Sequence, residues 1–233
     1  LKVDLSARTF EILPVDEQMK RLFVGGRGFG LYYLWHAVTP ETQWDDPENA
    51  IVISSGPLGG NPSYPGSGKS LVCSLSPTTG IPIDSNVGGH FGPLLKFSGF
   101  DALILTGKAD EDVILYVDGN TCRVQMLRAP LEAVDAHVVS EQLTTFFAES
   151  DKEMREISVV SAGRGAEHSL MGCLNFSWFD WRRDAARIKQ AGRGGIGSVF
   201  RNKGLKALVA KRSDYLPRWT IHKPHHPQDG GQA

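Results

Sequence analysis

ALILTGKADEDVILYVDGNTCRVQML, residues 102–127, is the stretch whose reading decides the fold class. Ala102–Thr106 and Val113–Val117 are near-continuous apolar runs, the pattern of strands buried on both faces. Asp118-Gly119-Asn120 supplies a hairpin turn, and Cys122–Leu127 a returning strand. Upstream, short strands are expected at Lys2–Ser6 and Thr9–Leu13, joined by a tight turn at Ala7-Arg8, and at Ala50–Ser54 and Ser70–Leu75. Downstream they are expected at Glu156–Val160 and Leu205–Ala210. Pro14-Val15-Asp16 opens a short helix running to Phe23, and helical stretches follow at Leu31–Val38 and Gly88–Ser98. Leu131, Val134, Val138, Leu143 and Phe147 mark an amphipathic helix whose exposed face carries Glu132, Asp135 and Glu141. Arg182–Gln190 is polar and helix-prone. Strands and helices do not alternate regularly, so the class is α+β rather than doubly wound. The ordered domain is expected over residues 1–211. Residues 212–233, with Pro217, Pro224, Pro227 and three histidines, read as a polar arm or disordered end.

The chain has 233 residues, 41% hydrophobic and 22% charged, the composition of an ordinary globular protein with room for a sizeable core. A net charge of −1 gives no electrostatic reason to expect nucleic acid or an anionic membrane as partner. No apolar run approaches the roughly 20 residues that span a bilayer, and the opening residues carry no secretory pattern. An initiating methionine is expected to precede Leu1. Cys73, Cys122 and Cys173 are far apart and form no CxxC spacing. They cannot by themselves hold an iron–sulfur cluster or a cysteine zinc site. They read as buried free thiols in a reducing cytoplasm, where the protein is expected to reside.

The 26 glycines fall in clusters rather than in linkers, which suggests loops that approach a ligand closely. Gly66-Ser67-Gly68-Lys69-Ser70 resembles the end of a phosphate-binding P-loop. However, Ser63 stands where the first glycine belongs, Pro65 removes an amide donor, and Leu71-Val72-Cys73 is strand-like where a helix should follow. Gly192-Arg193-Gly194-Gly195-Ile196-Gly197 matches GxGxxG, yet Arg187-Ile188-Lys189-Gln190 is too polar for the central strand that should precede a dinucleotide site. Phosphate binding by these glycine amides and the helix start after them stays open. Asn86, before Val87-Gly88-Gly89, is either a helix N-cap or a donor of its carbonyl or backbone to a bound ion. His90 is placed to lie near a ligand. His36 and His137 fall in helical patterns as structural or surface residues, and the His222/His226 spacing sits in a proline-broken tract.

Taken in order, a series of segments resembles one family. It runs through Val24-Gly25-Gly26-Arg27-Gly28-Phe29-Gly30, Ser55-Gly56-Pro57-Leu58, Gly66-Ser67-Gly68-Lys69, Leu75-Ser76-Pro77-Thr78-Thr79-Gly80 and Ser85-Asn86-Val87-Gly88-Gly89-His90-Phe91-Gly92. It continues with Leu95 to Ala102, Thr106-Gly107-Lys108-Ala109, Ala191 to Gly197 and Asn202-Lys203-Gly204-Leu205-Lys206-Ala207. The order is similar to the N-terminal domain of tungsten-containing aldehyde:ferredoxin oxidoreductases, from about Leu1 to Lys211. The resemblance implies two β-sheets with flanking helices that form the base for a bis-pterin cofactor. That cofactor holds tungsten, or sometimes molybdenum, and its phosphates are linked through Mg2+.

Carried over residue by residue, the resemblance makes Lys69 a pterin-contacting cation. Asn86 becomes a magnesium ligand through its backbone, and Gly88, with Gly89 beside it, a pterin contact. Lys189 and Gln190 stand where the family has an Arg-Ala pair that contacts cofactor and magnesium, Gln190 acting through its backbone. Ala191, Arg193 and Gly194 complete the cofactor contacts. Lysine for arginine at 189 keeps the charge and loses the bidentate fork. None of these residues is expected to transfer protons in catalysis. The implied reaction of the whole enzyme is oxidation of an aldehyde to a carboxylic acid. The acid/base groups and a [4Fe–4S] cluster lie in a C-terminal part or partner subunit, electrons pass to ferredoxin or another electron-transfer subunit, and an oligomer is expected. Two alternatives stand beside this: a subunit of a related tungsten enzyme that reduces aromatic acyl-CoA thioesters, and a non-catalytic scaffold that has lost the cofactor. Asn175–Arg187, with Trp178, Phe179 and Trp181, is longer than the family's usual connection. It is read equally as a lid or subunit contact and as a surface insertion with packed aromatics.

Overall fold

The computed structural model describes residues 1–61, 63–64, 66–129 and 135–212. Lys2–Asp4 (β1) and Thr9–Glu11 (β2) form a hairpin, closed where the Asp4 carboxylate accepts from the amides of Ser6 and Ala7. Glu17–Phe23 (α1) and Arg27–Ala37 (α2) follow. Ile51–Ser55 (β3), Ser70–Leu75 (β4) and Pro82–Val87 (β5) make an antiparallel meander. Phe91–Phe97 (α3) leads to Ala102–Thr106 (β6). Val113–Asp118 (β7) and Arg123–Arg128 (β8) form the second hairpin, and Ala136–Phe147 (α4) follows. Ile157–Ser161 (β9), Leu174–Asp180 (β10) and Ala185–Ala191 (β11) come next, then Ile196–Asn202 (α5) and Leu205–Lys211 (β12).

These strands form two six-stranded mixed sheets. The first is ordered β2-β1-β6-β3-β4-β5 and the second β11-β10-β9-β12-β7-β8. Within them β1 runs parallel to β6, and β12 to β7. Alternation of side chains sends Ile51, Ile53, Leu103 and Leu105 into a core shared with Val113, Leu115, Val117 and Leu208 of the second sheet. Their neighbours Val52, Cys73 and Ile104 face outward and are covered by Leu34 of α2. On the far side Ile114, Tyr116, Val159 and Val209 are covered by Val139 and Leu143 of α4. Helices α3 and α5 contribute Phe91, Leu95, Ile196, Val199 and Phe200 to the core between the sheets. The layers therefore run helix, sheet, sheet, helix. Central strands covered on both faces explain the unbroken apolar runs at 102–106 and 113–117.

Several expectations need correction. Asn86 is not an N-cap: it lies in β5 opposite Leu71, and α3 starts at Phe91 with His90 in the cap position. Arg182–Gln190 is not helical. Ala185–Ala191 pairs with Leu174–Asp180 as an antiparallel hairpin. β11 is an edge strand, so one flank meets solvent and tolerates Arg187, Lys189 and Gln190, which mimicked a polar helix in sequence. The Asp180 carboxylate closes the turn by accepting from the Arg182 amide and the Arg183 guanidinium. The helix expected from Leu131 begins at Ala136, with Asp135 as its cap. Leu131, Glu132 and Val134 lie outside the described residues, as do Pro65 and the arm from 213 to 233 with its histidines. The glycines at 25–30 are partly helical: α2 starts at Arg27, and a Cβ on Gly30 would collide with the Cys73 sulfur. Cys73 is buried, which pushes its thiol up to about 12, whereas Cys122 and Cys173 are exposed.

Two buried cations stand at the end of α5, and one of them, Lys203, reaches across to the first sheet. Arg201 is buried, and its Nη2 donates to both Asp112 carboxylate oxygens at 3.0 and 2.9 Å and to Glu167 at 2.6 Å. Lys203, 1% exposed, donates to the carbonyls of Pro47 at 3.0 Å and Gly107 at 2.9 Å. Those carbonyls flank β3 and β6 of the first sheet, while Lys203 leads into β12 of the second. Burial pushes the Lys203 pKa down from its ordinary 10.5 to about 8.

Lys203→Met leaves both carbonyls without this donor and is expected to cost about 1–3 kcal/mol in denaturant unfolding. Between pH 8 and 10.5 the unfolded chain holds the Lys203 proton that the folded chain has released. Wild-type stability relative to the variant should therefore rise with pH across that window and be flat below it. A constant difference across the window would show that Lys203 does not titrate as its burial requires.

Candidate functional site

The edges of the two sheets, β5 and β11, come together along one side of the molecule. The Arg193 amide donates to the Ser85 hydroxyl at 3.2 Å, and the Cβ direction of Gly194 is filled by Ile83. Both contacts cross from the second sheet to β5. At the other end of β5, the turn 66–69 packs on the 88–89 loop. A Cβ on Gly68 would lie 2.7 Å from the Gly89 carbonyl oxygen, so the backbones touch only because residue 68 is glycine. Gly89 itself holds φ +112°, a conformation that L side chains rarely adopt.

The residues singled out from the sequence lie along this seam. Lys69 is exposed beside the 88–89 loop, 3.8 Å from where a Gly88 Cβ would stand. Asn86 is exposed on the edge strand. In the β10–β11 hairpin Phe176 is opposite Lys189, Trp178 opposite Arg187, and Leu174 opposite Ala191. Phe176, Leu174 and Ala191 enter the shared core, so Lys189 and Arg187 project on the face that meets the first sheet. Lys189 Nζ lies 5.7 Å from the centre of the Trp178 ring. The Gln190 side chain alternates to the opposite face, leaving only its backbone in the seam.

Among the described residues, Lys69, Lys189 and Arg193 have no carboxylate partner, whereas Arg27, at the start of α2, is paired with Asp84 of β5 at 2.8 Å. The seam thus presents exposed cations between close-packed backbone loops, an arrangement that suits a large, flat, anionic ligand. No group of three or more His, Cys, Asp or Glu placed to hold a metal occurs among the described residues. Gly195 is a packing residue, since a Cβ there would collide with the Leu170 carbonyl. His90 was expected near a ligand, whereas Trp178 was read only as part of an aromatic insertion and Arg187 as part of a polar helix. Strand alternation across the hairpin would have found Trp178 and Arg187.

A larger groove of about 840 Å3 between β8 and α4 is lined mainly by apolar groups such as Leu127, Val138 and Phe146. It has no comparable convergence of cations and backbone. Among the described residues no helix is long and apolar enough to cross a membrane.

Comparison with known proteins bears on the seam. Residues 1–212 match the family described as aldehyde ferredoxin oxidoreductase, N-terminal domain. A tungsten-containing aldehyde ferredoxin oxidoreductase of Pyrococcus abyssi is 33% identical over 221 residues, covering 91% of this chain and 32% of that protein. The WOR-like subunit of an aliphatic sulfonate oxidoreductase from Pyrococcus furiosus is 30% identical, over 93% of this chain and 34% of that subunit. Among solved structures, the active-site complex BamBC of benzoyl coenzyme A reductase, in complex with 1,5-dienoyl-CoA, superposes with a TM-score of 0.78 at 28% identity. The match covers 91% of this chain and 30% of that one. The chain spans about a third of the length of these relatives.

The close approach at Gly68 is directly testable. Gly68→Ala forces the 66–69 turn away from Gly89 and is expected to cost about 1–3 kcal/mol. Gly192→Ala, where a Cβ meets nothing within 4 Å, should stay within about 0.5 kcal/mol of wild type. Equal urea midpoints for the two variants would contradict the contact.

Proposed function

Because the chain belongs to the aldehyde ferredoxin oxidoreductase N-terminal domain family, we propose that it forms the floor of a tungsten bis-pterin site in a larger oxidoreductase. The observation that carries this reading is the convergence, at the seam of two sheet edges, of carboxylate-free Lys69, Lys189 and Arg193 with the touching Gly68 and Gly89 backbones. These cations offset the charge of the pterin phosphates and dithiolenes. Gly88, Gly89, Ala191 and Gly194 let the backbone come near the flat rings. The backbones of Asn86 and Gln190 would hold a Mg2+ ion of the cofactor. When bound, the tungsten supplies the two-electron chemistry that converts an aldehyde and water to a carboxylic acid. This chain binds and orients the cofactor. The remaining two thirds of the enzyme, or a partner subunit, provide a [4Fe–4S] cluster, the proton-transferring groups and the route to ferredoxin or another acceptor.

A second reading keeps the cofactor and changes the reaction to reduction of an aromatic acyl-CoA thioester. It is favoured by the similarity to the benzoyl coenzyme A reductase complex. Protection of a bare strand edge accounts for Lys189 in a cofactor-free scaffold but not for Lys69 and Arg193 in the loops beside it.

Lys69→Ala in the full enzyme removes one charge-assisted contact, worth about 1.5–3 kcal/mol. Tungsten and pterin per chain should fall after dialysis, and Lys69→Arg should retain both. Full occupancy in Lys69→Ala, measured by metal analysis and pterin fluorescence, would remove Lys69 from the site.

A further inference from the structure

Alternation along the edge strand β5 sends Ile83, Ser85 and Val87 inward, Val87 into the shared core and Ile83 against it. Ser85 stands between them, 2% exposed, a hydroxyl in an otherwise apolar stripe. Alanine would fill that position as well, whereas a buried hydroxyl needs a partner. The partner comes from beyond β11: the Arg193 amide donates to Ser85 at 3.2 Å. Around that bond the turn after β11 is wedged on both sides. A Cβ on Gly194 would lie 2.5 Å from the Ile83 side chain, and one on Gly195 would overlap the Leu170 carbonyl. Gly194 and Gly195 hold φ +72° and +66°, so the chain turns into α5 within two glycines. Arg193 is thereby divided in function. Its amide is committed to Ser85 and is not free for a ligand, while its side chain is exposed. Ser85 is followed directly by Asn86, so this one bond ties the root of the Arg193 side chain to the strand that carries Asn86.

We propose that Ser85 is a positioning residue for the seam: by holding the Arg193 amide it fixes the Arg193 guanidinium relative to Asn86 on the opposite edge. Being buried, Ser85 acts through Arg193 and not by touching a ligand. A flexible turn would let the guanidinium swing away, and ordering it on binding would cost affinity. The proposal rests on the bis-pterin reading, to which it adds a residue that contacts no cofactor and a side-chain rather than amide role for Arg193.

Loss of pterin and tungsten from the native full enzyme during dialysis tests this, in wild type, Ser85→Ala, Arg193→Gln and the double variant. Ser85→Ala should lose pterin about threefold or more faster than wild type, and hydrogen exchange at the Arg193 amide should quicken. In the Arg193→Gln background Ser85→Ala should add nothing, because the side chain it positions is gone. A merely structural role would add its effect in both backgrounds. Ser85→Cys, close in size with a weaker acceptor, takes its place if Ser85→Ala does not fold. The proposal is overturned if Ser85→Ala retains pterin like wild type, if the Arg193 amide exchanges at the wild-type rate, or if the two substitutions act independently. Wild-type enzyme without pterin would defeat the bis-pterin reading and this role together. Pterin that is present but unmoved by Ser85→Ala would defeat the positioning role alone.

Discussion

Both faces of both sheets are covered, and the rest of the structure depends on that constraint. Helix α2 covers one outer face, α4 covers the other, and the inner faces pack on each other with α3 and α5 between them. Central strands in such a stack have no surface left for polar chemistry. Exposed polar groups fall chiefly on the edge strands and the loops beyond them, while polar residues of the central strands, such as Ser54, Ser74, Ser158 and Ser177, are buried. β5 and β11 are those edges on one side, and they alone combine strand pairing with exposed Asn86, Lys189 and Gln190. A bare edge invites pairing with another chain, and charged side chains oppose it. Here the same charges are available to a ligand.

Besides the shared apolar core, a buried cation at the end of α5, Lys203, links the two sheets, while its neighbour Arg201 is satisfied by groups that adjoin the second sheet. Arg201 and Lys203 are desolvated, so their stabilising value lies in how completely they are satisfied rather than in charge as such. Arg201 has two carboxylates and the Leu205 carbonyl. Lys203 has only neutral carbonyls, and burial depresses its pKa, whereas at Arg201 the Asp112 and Glu167 carboxylates outweigh burial and raise it. Because Lys203 reaches from the second sheet to the loops flanking β3 and β6, it couples the positions of the sheets and, through them, of the two edges.

Glycine serves two distinct purposes in this chain. Gly30 and Gly195 are small because a neighbour fills the space: the Cys73 sulfur in one case, the Leu170 carbonyl in the other. Gly68 and Gly89 bring two loops into backbone contact at the open seam. In the sequence all four look alike, each within a glycine cluster. Their roles separate only when the neighbours are known, because packing and ligand approach both require an absent Cβ.

Legibility followed the same physical divide. The buried strands at 102–106, 113–117 and 205–210 were evident because burial on both faces selects uninterrupted apolar residues. The α+β class followed from their irregular order, and the ordered glycine segments pointed to Lys69, Asn86, Gly88 and Lys189. Of the four edge strands, β2 and β8 were legible beside their hairpin turns, whereas β5 and β11 were not. Pro82–Val87 was not read as a strand and Arg182–Gln190 resembled a polar helix, since an edge selects neither apolar continuity nor strict alternation. Local sequence thus determined which segments are buried and which residues are candidates for the site. Tertiary structure decided that β5 and β11 are neighbours, that Lys189 shares a face with Trp178, and that a cavity opens between that hairpin and α3. The first and last of these come from packing between segments roughly a hundred residues apart, where no local propensity acts, and the second from the register of the β10–β11 hairpin.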